Sequence, residues 1–205
     1  RLNRLLEEIS SSLQSGKPHE PPDMNDPRTQ TLVRSFEQQL RSQFPQGLIG
    51  RVANFTYSML MDYIYLHENA LYVALSPRLG RSPFSDFSLA LGELKITKNI
   101  AWSVGTCFTA AKGIIDVFSS QSLSQLACNS IFSYSRLVIG VSILLKLRQL
   151  FLTVPDFKEI CSVTSAELER IHVLLEKLDK VSELYPFANT ALNYCLVLRI
   201  LIYHY

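Results

Sequence analysis

The side chains that most often carry catalysis are scattered in this sequence. No histidine stands in an HExxH spacing, and the sequence contains no GxSxG, GxGxxG or GxxxxGK[ST] motif. The four histidines are His19, His67, His172 and His204, and the only acids between residues 69 and 155 are Asp86, Glu93 and Asp116. Hydrolysis by paired carboxylates needs two acids close together in a cleft. The sequence therefore predicts a protein that is not an enzyme, and a helical enzyme whose groups converge only in the fold stays as a lesser alternative.

Metal binding is not indicated either. The four cysteines lie far apart, whereas zinc sites use closely spaced pairs, and we expect free thiols acting as small core residues. They are Cys107, Cys128, Cys161 and Cys195. His67 stands on an apolar helical stripe, where a hydrogen-bonded core histidine is the expectation. We predict no cofactor and no metal in this sequence.

Two basic residues, Lys112 and Arg136, interrupt apolar stretches that are expected to be buried. Such a cation either extends along its aliphatic stem to solvent or meets an anion. In the second case Arg136 holds a ligand carboxylate in a bidentate manner at the mouth of an apolar pocket. We place that pocket between two central helices, lined by Trp102, Phe108, Ala111, Phe132, Leu137 and Val141; the alternative is that these residues are solid core.

The composition excludes other function classes. Hydrophobic residues make up 47% of the 205 residues, so the chain should fold, and 20 basic against 18 acidic residues leave a net charge of only +2. That charge provides no strong field for nucleic acid, and no apolar run reaches the ~20 residues that a membrane span needs. We expect an intracellular protein with no direct nucleic-acid or membrane contact. Since the sequence opens at Arg1 and ends in an apolar run, we expect it to be part of a longer chain.

Helical periodicity dominates the sequence and no strand pattern is evident. The pattern predicts an all-α fold, an orthogonal and antiparallel bundle of about seven helices without a sheet, in a single domain over residues 1–205. Thr164 and Glu167 are spaced as a capping box, and the charged cluster from Glu167 to Glu183 is interpreted as a solvated face. Ala101, Ser103 and Gly105 form a small-residue flank that lets a backbone or a ligand approach closely. The predicted helices are 1–14, 29–44, 48–75, 88–119, 123–152, 164–184 and 186–203, with a flexible linker at 15–28.

Several motifs resemble a known family. LVRSFEQQLRSQFPQGL followed by YSMLMDYIYLHENALY is similar to the opening of the middle homology region of fungal zinc binuclear cluster transcription factors. CFTAAKGIIDVFSS and LVIGVSILLKL resemble two of its central helices, and LEKLDKVSELYPFANTALNYCLVLRILIYHY resembles its closing helix pair. The resemblance covers about residues 30–75, 99–150 and 165–205. The matched positions of the opening motif are Phe44, Pro45, Tyr57, Tyr63, Leu66, His67, Glu68 and Leu71.

The resemblance implies an all-helical regulatory region in a nuclear protein, sensing a small metabolite or xenobiotic and controlling transcriptional activation. The partners expected are a small hydrophobic or carboxylate-bearing effector, a coactivator or repressor protein, and a second copy of the chain. The six-cysteine zinc cluster and an acidic activation tail are absent from these 205 residues, so DNA binding and zinc are expected of the longer protein. The alternative is a helical interaction scaffold, for dimerisation or for coactivator or repressor docking, without a small-molecule site.

Overall fold

The computed structural model describes residues 27–43, 56, 60–64, 67, 97–153, 161–185 and 189–204. Within these residues 94% are helical and no strand is present, which confirms the predicted fold class. Residues 56, 60–64 and 67 are helical in addition to six helices with defined bounds. Those six are α1 (Pro27–Gln43), α2 (Lys98–Ser120), α3 (Leu123–Ala127), α4 (Ile131–Thr153), α5 (Cys161–Leu184) and α6 (Asn189–His204).

The start of α2 is set by its cap. Thr97 is extended, with φ −94° and ψ 161°, and its hydroxyl accepts a hydrogen bond from the Ile100 amide at 3.4 Å. A threonine in this position satisfies an amide that has no partner within the helix. The helix therefore begins at Lys98, whereas the apolar pattern predicted a start at residue 88.

The predicted helix 123–152 is divided into α3 and α4. Ser122 and Gln125 form a capping box that starts α3, as the serine-rich sequence indicates. The chain then leaves the helix at Cys128, and the Ser130 hydroxyl accepts from the Ser133 amide as α4 begins. The Tyr134 hydroxyl donates to the Leu126 carbonyl at 2.8 Å, which links the start of α4 to α3 across the break. Sequence periodicity does not report such a short interruption.

The helices α2 and α4 form the antiparallel centre of the bundle. Phe118 packs against Tyr134 with ring centroids 5.6 Å apart, and Phe108 packs against Phe151 at 5.9 Å, so residue numbers rise along one helix as they fall along the other. No residue from Arg136 to Gln149 is exposed, but Val138, Ile139 and Ser142 are among those only partly buried, so other elements cover most of this part of α4 and not all of it. The shared core includes Ile114, Leu137 and Leu144.

Part of the charged face of α5 is in contact with α2. Glu167 is 3% exposed and its Oε1 lies 3.1 Å from Lys112 Nζ, while Lys177 Nζ donates to the Ser119 carbonyl at 2.7 Å. A lysine at this point satisfies a carbonyl that the end of α2 leaves without a helical partner. The solvated-face interpretation is wrong for these residues. The capping box at Thr164 and Glu167 is also wrong, because α5 begins at Cys161 and the Glu167 carboxylate is bound by Lys112.

The structure also bears on the predictions for the cysteines, for the first helix and linker, and for membrane spans. Cys107 and Cys195 are buried thiols, as predicted, but Cys128 is exposed at the end of α3. The predicted helix 1–14 and residues 15–26 of the linker lie outside the described residues, while residues 27 and 28 already belong to α1. None of the helical stretches in the described part is both long and apolar enough to cross a bilayer.

Candidate functional site

The seven residues predicted to line a pocket do not meet at one place. Trp102 lies near the start of α2, sixteen residues before Phe118, which corresponds to about 24 Å along the helix axis. Because Phe118 packs against Tyr134, Arg136 lies near that far end of α2. Phe132, one turn earlier in α4, is 73% exposed. The two ends of the predicted set are therefore separated by most of the length of α2.

The middle of the set is solid core. Ala111, Leu137 and Val141 are fully buried. A Cβ added at Gly140 would stand 3.3 Å from Ile114 Cβ, so the two central helices already touch at this glycine. Phe108 is partly buried against Phe151. In the middle of the interface between α2 and α4, the predicted pocket residues are therefore solid core, as the alternative expected.

Each of the two predicted cations faces an acid. Lys112 binds Glu167, which is also bound by Arg170 at 3.2 Å, and Arg170 in turn pairs with Asp116. Arg136 is half-buried, and its charge acts on the buried Asp62 carboxyl. Burial raises the pKa of Asp62 to about 7, and the Arg136 charge opposes that rise. Asp62 Oδ2 has no hydrogen-bond partner in the described part of the chain.

A cleft lies elsewhere, between α1, residues 60–64 and the first half of α2. Its volume is about 700 Å³, within the range of small-molecule sites. Of the seven predicted residues it includes Trp102. The described residues that line it are Glu37, Arg41, Leu60, Tyr63, Ala101, Trp102, Gly105, Thr106, Thr109 and Ala110.

One end of the cleft is polar and ordered by hydrogen bonding. Arg41 Nε donates to the Tyr63 hydroxyl at 2.9 Å, and Arg41 Nη2 stands 3.6 Å from Glu37 Oε1. The bond to Tyr63, with the charge of Glu37, raises the pKa of Arg41 above its usual value, so the guanidinium stays charged. A cation, a phenol and a carboxylate thus share this end.

The rest of the cleft is mainly apolar, and Trp102 is the aromatic residue of its α2 wall. The Trp102 ring meets the His67 ring edge to face at 4.7 Å, and the Arg34 guanidinium lies 5.9 Å above the Trp102 ring. The Thr106 and Thr109 hydroxyls donate to the Trp102 and Gly105 carbonyls within α2, both at 2.9 Å. Their protons are therefore engaged by their own helix.

His67 is a core residue that supports this wall. Its ring is fully buried and its Nδ1 lies 3.1 Å from Ser103 Oγ. Burial lowers the pKa of His67 to about 4, so the ring is neutral at pH 7. Its Nε2 has no partner among the described residues. The prediction of a core histidine is confirmed, with one of its two nitrogens hydrogen-bonded.

The sequence predicted part of the α2 wall of the cleft but not the wall that α1 and residues 60–64 form. Ala101 and Gly105, from the predicted small-residue flank, do leave space on α2, whereas Ser103 is buried behind them. Arg41 and Tyr63 were not predicted, because nothing in the sequence shows that α1 and residues 60–64 meet across this flank. Among the described residues no group of three or more His, Cys, Asp or Glu side chains is arranged to hold a metal ion.

Comparisons with known proteins give one informative match. Weak acid resistance protein 1 of Saccharomyces cerevisiae is 24% identical to this chain over 214 residues. The match covers 98% of this chain but 21% of the yeast protein, so the chain spans about a fifth of that relative's length. No protein-family model matches the chain. No solved structure matches it.

Proposed function

We propose that this chain is an effector-binding regulatory region of a fungal transcription factor, which senses a small metabolite or xenobiotic and controls activation. The cleft bounded by α1, residues 60–64 and α2 is the observation that carries the proposal. The motif resemblance supports the transcription-factor family, and the similar protein, Weak acid resistance protein 1, is likewise fungal. The resemblance is to a regulatory region, so the proposal assigns no catalytic step to this chain.

The position of the cleft explains how a ligand would act. Its walls come from three parts of the chain that are not adjacent in sequence, so a bound ligand contacts all three at once. A ligand that binds one packing of these elements tenfold better than another shifts their equilibrium by about 1.4 kcal/mol. That shift changes the ratio of the two packings tenfold, and the proposed regulation acts through the change.

The proposal extends to the longer protein. DNA binding through a zinc cluster, an activation segment and nuclear localisation are assigned to regions beyond these 205 residues. The yeast relative is named for resistance to weak acids, so weak organic acids are the first class of effector to examine.

A thermal-shift screen of the 205-residue chain tests this function. A compound at 100 times its dissociation constant stabilises the folded state by about 2.7 kcal/mol, which raises the melting temperature by several degrees. Metabolites, xenobiotics and weak organic acids are compared at fixed pH and ionic strength. We expect at least one class of compound to raise the melting temperature in a saturable, dose-dependent manner; a flat response to every class counts against an effector-binding role.

The second candidate is a docking scaffold, favoured by one surface. The outer face of α6 exposes five apolar residues, with the exposed Arg199 beside them: Leu192, Leu196, Val197, Ile200 and Tyr203. Exposed apolar patches of this kind mark interaction sites when they are contiguous. Sedimentation velocity of the chain and of its Leu196→Gln/Ile200→Gln variant tests this function. Self-association that the double variant abolishes supports the scaffold, and a monomer in both cases contradicts dimerisation through α6.

A further inference from the structure

We propose that residues 1–14 pack as an amphipathic helix into the cleft, against its α2 wall. The inference goes beyond the proposed function, because this contact lies within the chain and needs no effector. The occupant is a segment of the same chain, since residues 1–26 precede α1 and α1 forms one side of the cleft.

The α2 wall of the cleft carries a row of small side chains that the described helices leave partly uncovered. Ala101, Gly105 and Thr109 follow one another at intervals of four residues, so they form a row about 12 Å long on one face of α2. Gly105 and Thr109 are exposed, and a Cβ added at Gly105 meets no atom within 4 Å. The Thr109 hydroxyl donates to the Gly105 carbonyl, so its proton is not available to a polar ligand. The wall is therefore a shallow groove that another helix can approach closely.

The sequence of residues 1–14 has the complementary row. Leu5, Ile9 and Leu13 recur at the same interval of four, so a helix over these residues carries a ridge of large apolar side chains of equal length. Ridges of this kind pack into grooves of the same class with the helix axes about 50° apart. In that packing Ile9 lies opposite Gly105, at the middle of both rows.

The charges of the cleft and of the segment are compatible with this contact. Arg41 and Glu37 are 3.6 Å apart at the α1 end and compensate each other, so the described lining of the cleft has no net charge with which to hold an ionic ligand. Residues 1–14 contain two arginines and two glutamates, whose charges also sum to zero. All four stand outside the apolar stripe at helical spacing. Apolar contact is therefore the main attraction between the two surfaces.

The connection to α1 is long enough for this contact. Residues 15–26 span at most about 40 Å, whereas α1 runs about 21 Å from Pro27 to Arg41 at the cleft. A short flexible tether gives an effective concentration in the millimolar range. A contact with an intrinsic Kd of about 0.1 mM is then formed about nine-tenths of the time. The tether thus allows a weak apolar contact to be well populated.

The fluorescence of Trp102 tests the inference, because it is the only tryptophan of the chain and it lines the cleft. Acrylamide quenching of the 205-residue chain, without any effector, measures access to its ring. Leu5→Gln/Ile9→Gln should raise the quenching constant at least about twofold, because a cleft covered about nine-tenths of the time is then open. Glu7→Gln/Ser11→Gln, on the opposite face of the predicted helix, is the matched control and should match the parent. Equal quenching in all three proteins overturns the inference, and quenching that changes on dilution shows that a second copy supplies the segment, which overturns the contact within the chain.

Cysteine pairs locate the contact. In Ile9→Cys/Gly105→Cys the two thiols should join under mild oxidation, since docking brings the two Cα atoms within the roughly 4–7 Å that a disulfide spans. Ser11→Cys/Gly105→Cys places the first thiol on the opposite face of the helix and should not link. Both proteins also carry Cys128→Ser, which removes the exposed native thiol. Mass spectrometry of a digest identifies the linked peptides; no link in the first protein, or equal linking in both, overturns the assignment to the α2 wall.

These outcomes are separate from that of the effector screen. An effector that fills the cleft has to displace residues 1–14, but the docking itself is measured in its absence. A covered cleft with no stabilising compound leaves this inference standing and counts against the effector-binding function. An open cleft with a stabilising compound does the reverse.

Discussion

Lys112 Nζ on α2 lies 3.1 Å from Glu167 Oε1 on α5, and this ion pair joins the centre of the bundle to the helix packed beside it. The Glu167 side chain is 3% exposed, whereas that of Lys112 is 37% exposed. Arg170 approaches the same carboxylate from α5 and also pairs with Asp116 on α2. A carboxylate removed from water in this way depends on its cationic partners.

Substitution of Lys112 tests that dependence. Lys112→Met keeps most of the aliphatic stem but leaves Glu167 with Arg170 alone, so we expect a loss of about 1–3 kcal/mol in the free energy of unfolding. Urea denaturation followed by circular dichroism measures it, with Lys180→Met on exposed α5 surface as the control. If Lys112→Met is as stable as Lys180→Met, the pair contributes nothing and α5 is held by apolar packing alone.

The same pair shows what the sequence could and could not predict. Periodicity located α2 and identified Lys112 as a cation within an apolar helix, because both are local properties of the chain. It did not identify Glu167 as the partner, since the two residues are 55 positions apart and Glu167 stands in a run of charges that resembles a solvated surface. Partners across helices depend on the packing of the whole bundle.

Two buried titratable groups, Asp62 and His67, make the stability depend on pH in opposite directions. Asp62 has its pKa raised to about 7 from 3.8, so its contribution to stability is complete below pH 4 and is lost as the pH rises through 7. His67 has its pKa lowered to about 4 from 6.5, so its contribution is lost as the pH falls from 6.5 through 4. Between pH 4 and 6.5 the two effects oppose each other and nearly cancel.

Single substitutions should separate these effects. In Asp62→Asn the free energy of unfolding should rise with pH between 4.5 and 6, relative to the parent, by up to about 1.4 kcal/mol per pH unit. In His67→Asn it should fall with pH by a similar amount, because Asp62 then acts alone. Denaturation curves at several pH values measure the slopes, and the double variant should restore the slope of the parent. Parallel curves for all four proteins contradict the assignment.

Substitution by alanine should change the stability in opposite directions at Gly105 and at Gly140. Gly105→Ala adds a methyl group to open space in α2 and should stabilise the protein by about 0.5–1 kcal/mol through helix propensity. Gly140→Ala places a methyl group 3.3 Å from Ile114 Cβ, which is fixed to the α2 backbone, and should destabilise by about 1–3 kcal/mol. Urea denaturation compares the two variants; stabilisation by both contradicts the close approach of α2 and α4.

The candidate site was less predictable than the fold. The small residues Ala101 and Gly105 signalled a place of close approach on α2, and Trp102 was identified as a candidate pocket residue. The sequence placed the anion-binding cation on α4, because Arg136 interrupts an apolar helix and is conspicuous there. Arg41 stands in an ordinary amphipathic helix with polar neighbours, so its position beside Tyr63 follows only from the way α1 packs.

Tyr134 spans the break between α3 and α4, and its hydroxyl donates to the Leu126 carbonyl at 2.8 Å in the core. Burial raises the pKa of Tyr134 to about 12, so the proton stays on the hydroxyl. The Leu126 carbonyl also accepts from the Asn129 amide at 3.1 Å, so Tyr134→Phe does not leave it without a partner. We therefore expect the variant to lose about 0.5–1.5 kcal/mol, the usual contribution of one hydrogen bond.

Tyr194→Phe provides the matched control for this loss. Its hydroxyl is 2.8 Å from Ser135 Oγ in a partly buried position, where water can replace the bond, so we expect a loss of less than about 0.5 kcal/mol. Hydrogen exchange should show faster exchange of the Cys128 and Asn129 amides in Tyr134→Phe and unchanged exchange in Tyr194→Phe, because only Tyr134 bonds to the backbone at the break. Equal losses in the two variants, or unchanged exchange in Tyr134→Phe, indicate that the apolar packing of Leu126 and Phe118 sets the break without the hydroxyl.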